Sequence, residues 1–228
     1  KLELLDKAIV KCRQCPRLVE WREEVAVTKR KSYENEKYWG KPVPGFGPSD
    51  ARLVILGLAP GAHGANRTGR VFTGDSSGDW LYKALHKAGL ATIPTSIYTN
   101  DGQELIDTRI LCTVRCAPPD NKPSTEEKAT CAPFFENEIA LLLPTAESFL
   151  SLGSFAWDSI FKTLKDLGCT MPTPKPKFGH GARYSFTAPD GKKRQVYGCY
   201  HPSQQNTFTG KLTEKMLDSV IKSAAKSK

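Results

Sequence analysis

A chain of 228 residues is long enough for one sizeable α/β domain or two small ones. Its 39% hydrophobic and 25% charged residues are ordinary for a soluble globular protein, no apolar run approaches the length of a membrane span, and the absence of a signal-peptide pattern with an odd number of cysteines argues against a secreted disulfide framework. The formal net charge of +9 favours a polyanionic partner such as nucleic acid without requiring one.

Residues 2–10, LELLDKAIV, predict a short amphipathic helix, and a second is predicted over about 18–27, after Cys12-x-x-Cys15-Pro16. Residues 29–41 are basic and aromatic, carrying Lys29, Arg30, Lys31, Tyr33, Lys37, Tyr38, Trp39 and Lys41; such a stretch suits a phosphate backbone and equally suits a solvated loop. A turn-rich connector, 42–48, leads to an apolar strand at 52–56. The stretch 57–75, GLAPGAHGANRTGRVFTGD, then places five glycines and one proline within nineteen residues. That is a backbone brought close to a ligand, not a core element. It keeps His63, Asn66, Arg67, Arg70, Phe72 and Asp75 together. It has no Gly-Lys-Ser/Thr ending and so is no P-loop. Trp80, Leu81, Ala84, Leu85 and Ala88 follow at helical spacing, with Gly89 as a stop, predicting a helix over 79–88.

Residues 92–107 read as irregular. A buried strand is predicted over 108–115, ending at Cys116, and 117–123 is a rigid proline-bearing loop. Ser124 and Glu127 form a capping box that opens helical sequence, interrupted by Pro133 and resumed from Phe135 to Leu143. A third strand at 148–152 and a helix over about 154–167 come next. Residues 184–188 and 193–200 flank the turn Pro189-Asp190-Gly191 as a hairpin, whose second arm carries the fourth core strand, 196–200. That strand delivers His201-Pro202-Ser203-Gln204-Gln205-Asn206, and a last helix runs over about 212–225. Alternating strands and helices predict a single α/β domain over 1–228, a three-layer α/β/α sandwich around a mainly parallel four-stranded sheet. The loops at 57–75, 116 and 201–210 then converge on the carboxyl edge of the sheet, where open α/β sheets bind ligands.

Seven cysteines, an odd number, with a C-x-x-C pair, fit a reducing cytoplasm and a metal centre. Cys12 and Cys15 share one turn, and Cys116 and Cys131 are the best remaining pair. Thiolates without histidine suit zinc or an iron–sulfur cluster, and spacing does not decide between them. Cys112, Cys169 and Cys199 lie in or near strands and read as core residues.

Three stretches carry a resemblance: 57–75, the run Arg115-Cys116-Ala117-Pro118-Pro119-Asp120-Asn121-Lys122-Pro123, and 201–210, HPSQQNTFTG. In this order, with four ligand-competent cysteines, the chain resembles the uracil-DNA glycosylase superfamily, in particular its family 5, over roughly residues 10–225. The resemblance implies base flipping out of DNA, with Phe72 stacked on the base and His201 bonding its O2, and excision by hydrolysis. It implies a [4Fe–4S] cluster on Cys12, Cys15, Cys116 and Cys131, zinc being the lesser alternative. Family 1 has an aspartate at the position of Ala59 and family 4 a glutamate at that of Leu58. Neither Ala59 nor Leu58 can activate water, and family 5 gives that task to an aspartate matching Asp75. Asp75 is also a good helix cap, but Ser76 or Ser77 could serve instead. Backbone N–H groups at Leu58 and Ala59 are further candidate donors to the base.

Family 4 reads uracil with an asparagine at the position of Cys112. Cys112 cannot make a bidentate amide contact, which implies looser recognition that extends to hypoxanthine. Gln204, Gln205 and Asn206 are expected in the minor groove, and Arg67, Arg70, Lys122 and Lys211 on phosphates. The expected partner is double- and single-stranded DNA with deaminated bases, met by a cytoplasmic, nucleoid-associated monomer. Composition and cysteines alone also admit a non-catalytic nucleic-acid-binding protein with a structural metal site.

Overall fold

The structure, a computed structural model, describes residues 1–226. The helices are α1 (Leu2–Val10), α2 (Pro16–Thr28), α3 (Ala65–Thr68), α4 (Ser76–Lys87), α5 (Thr125–Leu142), α6 (Ser154–Asp166), α7 (Gln204–Phe208) and α8 (Glu214–Ala225). The strands are β1 (Leu53–Gly57), β2 (Thr108–Cys112), β3 (Ser148–Leu152), β4 (Arg183–Thr187) and β5 (Lys193–Cys199). The sheet order is β2-β1-β3-β5-β4. Four strands run parallel, as the sequence predicts. The first hairpin arm, β4, adds a fifth, antiparallel to β5 at the edge. Edge strands can be polar, and β4 is mostly exposed.

Every residue of β1, β2 and β3 is buried, because helices cover both faces of the sheet. Alternation sorts the side chains. Leu53 and Ile55 of β1 pack with Leu81, Leu85, Leu217 and Ile221 of α4 and α8. Val54 and Leu56 pack with Phe135 and Ile139 of α5 and Trp157 and Ile160 of α6.

Among the differences from the sequence reading, three have a clear physical cause. β2 ends at Cys112 rather than 115, because the N–H groups of Thr113 and Val114 turn to bond the carbonyls of Gly57 and Leu58, at 3.0 and 2.9 Å. The second strand thereby holds the root of the glycine-rich loop. α4 begins at Ser76, three residues early, because Asp75 caps it. α5 opens with the predicted capping box but runs through Pro133 without interruption. A proline inside a helix costs about 3 kcal/mol. Burial of Phe135, Ile139 and Leu142 on the sheet offsets it.

α1 and α5 are tied to β2 by a buried ion network. Glu138, fully buried, accepts from Arg109 Nε at 2.7 Å and Arg115 Nη2 at 2.6 Å, and Arg109 also bonds Asp6. Removing one member of such a pair strands the others and generally costs about 3–5 kcal/mol.

Candidate active site

Register places Gly57 beside Cys112 and Leu152 beside Cys199. The chain therefore leaves the sheet at Leu58, Thr113, Gly153 and Tyr200 on one edge. A cleft of about 790 Å³ opens there. It is walled by the glycine-rich loop, the end of β2 at Cys112, the Asp120-Asn121 turn and the start of α7. That volume is within the range of sites that enclose small ligands.

Asp75 lies in this wall. Its Oδ1 accepts from Gly78 N–H at 2.9 Å, so Asp75 itself is the N-cap of α4; Ser76 and Ser77 do not replace it. The capping geometry fixes the carboxylate. Its second oxygen, Oδ2, lies against Gly61 and Gly64, and a Cβ at position 64 would overlap it. Glycine at 64 is required for close approach of backbone to carboxylate. Burial is the main influence on the Asp75 carboxyl and pushes its pKa up, with Asp79 adding to the rise; the Gly78 N–H and the Arg67 charge oppose it. A carboxylate whose affinity for protons is raised is better suited to take one.

His201 follows β5 and faces Phe72, with ring centroids 5.6 Å apart and planes 33° from parallel. Neither ring nitrogen of His201 makes a hydrogen bond among the described residues. Desolvation pushes the imidazole down to about 4, so it is neutral at physiological pH. A neutral imidazole still offers one N–H. Phe72 has φ +51°, a left-handed conformation that costs a non-glycine residue about 1–2 kcal/mol. Two close approaches hold it: a Cβ at 78 would overlap the Phe72 carbonyl, and one at 57 would lie 3.0 Å from its ring. Leu58 and Ala59 line the cleft, and neither N–H has a protein acceptor among the described residues. Cys112 lines it too. Burial pushes its thiol up to about 12, leaving a small neutral group.

The two arginines expected on phosphates point inward. Arg67 is 5% exposed; it donates to His63 O and Gly74 O, pairs with Glu36 and stacks on Tyr33 at 3.9 Å. Arg70, also 5% exposed, forms a bidentate pair with Asp101 and bonds Thr73 and Ser96. Both are internal braces, because a guanidinium has enough donors to satisfy several loop carbonyls at once. Asn206 is likewise turned inward, its Nδ2 donating to His201 O at 2.8 Å. It pins the histidine loop rather than reaching toward a groove. Gln204 and Gln205 are exposed on the rim of the cleft. Lys122 and Lys211 are exposed, and Lys211 sits over Tyr200 at 4.9 Å.

The cleft also gathers residues to which the sequence reading gave no individual role: Arg30 and Tyr33 of the basic aromatic stretch, His63 of the glycine-rich loop, and Asp120 and Asn121. Asp120 and Asn121 hold consecutive positive φ angles of +52° and +56°. Asp and Asn tolerate that conformation better than other side chains, so the Asp-Asn pair after two prolines was the signal available.

Cys12, Cys15, Cys116 and Cys131 line one small cavity with Leu18, Val19 and Phe134. Cys12 follows α1, Cys15 is the N-cap of α2, Cys116 ends the turn after β2 and Cys131 lies in α5. Two buried arginines face it. Arg22 Nη1 donates to Cys116 Sγ at 2.9 Å, and the Arg115 backbone N–H donates to Cys131 Sγ at 3.3 Å. Arg22 Nε and Arg115 Nε and Nη1 are buried without a partner. No three His, Cys, Asp or Glu side chains among the described residues are gathered closely enough to hold one metal ion.

Comparison with known proteins shows the family. A family model described as "Uracil DNA glycosylase superfamily" matches residues 44–225. The chain is 50% identical over 222 residues, 97% of its length, to a type-5 uracil-DNA glycosylase of Mycobacterium bovis, covering 80% of that protein. It is 44% identical over 222 residues to the type-5 enzyme of Thermus thermophilus, covering 97% of this chain and 96% of that one. A type-4 uracil-DNA glycosylase of Archaeoglobus fulgidus is 28% identical over 162 residues, 71% of this chain and 70% of its own.

Proposed function

The chain belongs to the uracil-DNA glycosylase superfamily, and from that premise we propose that it flips uracil out of DNA and hydrolyses its N-glycosidic bond, leaving an abasic site. The observation that carries this reading is the meeting of Phe72, Asp75 and His201, from two separate loops, on one cleft at the carboxyl edge of the sheet. A base within a duplex is out of reach, so it must be extruded into a pocket with an aromatic face. Phe72 supplies that face. As the C1′–N bond breaks, its electron pair leaves with the base and the sugar gains oxocarbenium character. The His201 N–H and the free N–H groups of Leu58 and Ala59 receive the charge on the base. The Asp75 carboxylate supports the sugar cation and takes a proton from the attacking water, whose oxygen bonds C1′.

Cys112 in place of a bidentate amide supports acceptance of hypoxanthine and other deaminated bases; the substrate we propose is double- or single-stranded DNA. The enzyme works as a monomer at the nucleoid. No helix among the described residues is long and apolar enough to cross a membrane. The test is single-turnover cleavage of duplexes carrying one uracil or one hypoxanthine, read as alkali-labile sites. Failure to act on uracil overturns the glycosylase reading, and failure on hypoxanthine alone restricts it.

We propose that the four cysteines lining the small cavity hold a [4Fe–4S] cluster. Buried cationic donors that lack partners suit an anionic thiolate-bound centre. Cys12, Cys15, Cys116 and Cys131 would hold it, and its role is structural: it joins α1 and α2 to the turn after β2 and to α5. Replacing Cys116 by Ala is expected to remove iron, bleach the absorbance near roughly 400 nm and lower solubility, because ligation is coupled to folding. Cys112→Ala, Cys169→Ala and Cys199→Ala are expected to keep their iron. Colour lost in Cys112→Ala but kept in Cys116→Ala would show the ligand assignment to be wrong.

A further inference from the structure

We infer that the basic strap at residues 29–40 is the phosphate-gripping wall of the cleft, and that the Arg30 guanidinium contacts one phosphodiester beside the extruded nucleotide. The inference rests on the glycosylase reading and names a contact that reading leaves unassigned. A flipped nucleotide carries its two flanking phosphates to the mouth of its pocket, and those charges need partners. The arginines of the glycine-rich loop cannot supply them, since Arg67 and Arg70 are consumed in internal ion pairs. Arg30 lines the same cleft as Asp75 and His201, is exposed, and its guanidinium has no hydrogen bond or ion pair among the described residues. It is the unspent cation at the site, and its fork suits phosphate oxygens.

The strap is anchored to the catalytic loop. The buried Tyr38 hydroxyl accepts from Arg30 N–H at 3.4 Å and lies 3.0 Å from His63 Nδ1. Trp39 N–H and Gly40 N–H donate to the carbonyls of Arg67 and Asn66 in α3, at 2.9 and 3.0 Å. The Arg67 guanidinium grips Tyr33 and Glu36 of the strap from below. The loop that carries Asp75 thus also sets the position of Arg30. Charge on the strap agrees: residues 29–40 carry four cations, Lys29, Arg30, Lys31 and Lys37, against two acids, Glu34 and Glu36, and Glu36 is already paired with Arg67. Lys29 is turned onto the Glu34 carbonyl. Neither Lys122 nor Lys211 lines the cleft, and across it Gln204 and Gln205 provide amides rather than charge.

The test uses the full chain and a duplex bearing one uncleavable abasic-site analogue. Arg30→Ala is expected to weaken binding about tenfold at moderate salt and to lower the slope of log K against log salt by about 0.9, the share of one phosphate, with Tm unchanged. Arg30→Lys should restore the slope and part of the affinity. Lys165→Ala, an exposed cation near the far end of α6, should change neither. A neutral methylphosphonate placed singly at each flanking phosphate then locates the contact. At one position it should weaken the parent and leave Arg30→Ala indifferent. An unchanged salt slope, or a methylphosphonate penalty equal in parent and variant at every position, overturns the inference. Uracil cleavage by the parent, measured alongside, reports on the glycosylase reading separately: a parent that cleaves uracil beside an Arg30→Ala with unaltered slope sinks the strap alone.

Discussion

Asp75→Asn is expected to slow single-turnover uracil excision by about 10²–10⁴-fold, the usual cost of losing a general base, while leaving the fold at least as stable. The variant separates two roles that one side chain performs. As N-cap, Asp75 accepts from Gly78 N–H through Oδ1, and Asn caps a helix about as well. As a base, Asp75 needs its charge, which Asn lacks. The sign of the stability change follows from burial. The folded pKa of Asp75 is raised, so its contribution to stability is fully present below the unfolded value of about 3.9 and is lost as pH rises through the folded one. At neutral pH the parent holds a desolvated charge that Asn does not. Asp75→Asn should therefore melt at the same or a higher temperature at pH 7, with the advantage vanishing near pH 4. The parent's rate should fall on the acid side at a pH above the ordinary carboxylate range, and the variant's residual rate should lack that limb. Wild-type rates in Asp75→Asn would remove the carboxylate from the mechanism. Early melting with proportional loss of activity would make Asp75 a cap and nothing more.

His201→Ala is expected to cost about 10²–10³ in the same assay, the usual cost of removing one donor aimed at developing charge. The donor acts on the leaving base, so its loss should weigh less when the base leaves more easily. The deficit should shrink on a 5-fluorouracil duplex, whereas that of Asp75→Asn should persist. His201→Gln, which keeps an N–H near the same place, should recover part of the rate. The imidazole is held near 4 and is neutral across the working range, so the rate profile should show no break near pH 6.5. Such a break, absent in His201→Ala, would mean that the imidazolium and not the neutral ring stabilises the base. An equal deficit on both substrates would make His201 a packing partner of Phe72 alone.

Much of this architecture was legible in the chain. β1 is a continuous apolar run because both of its faces are buried, and the amphipathic helices announce themselves by period. The glycine-rich loop and the 201–206 loop each end a strand, and a parallel sheet sends all such loops to one edge, so their convergence followed from topology. The capping box at Ser124 is a local interaction and was therefore readable locally. Pro133 was misread because a local rule competes with burial of Phe135, Ile139 and Leu142, which lie far from one another's partners in sequence.

What only the tertiary structure decided is which polar groups remain free. Arg67 and Arg70 look like phosphate ligands in a basic loop, yet the partners that consume them, Glu36 and Asp101, lie 31 residues away in each case. Arg30 looks like one more surface charge, yet among the described residues it is the arginine left unpaired in the cleft. Asp75 proved to be both cap and carboxylate because Gly64 lets backbone lie against it. The strained φ of Phe72, +51°, is imposed by Gly57 and Gly78 from either side. A residue's type and neighbours set what it can bond. Its availability is a sum over contacts from distant segments, and no local pattern of residues contains that sum.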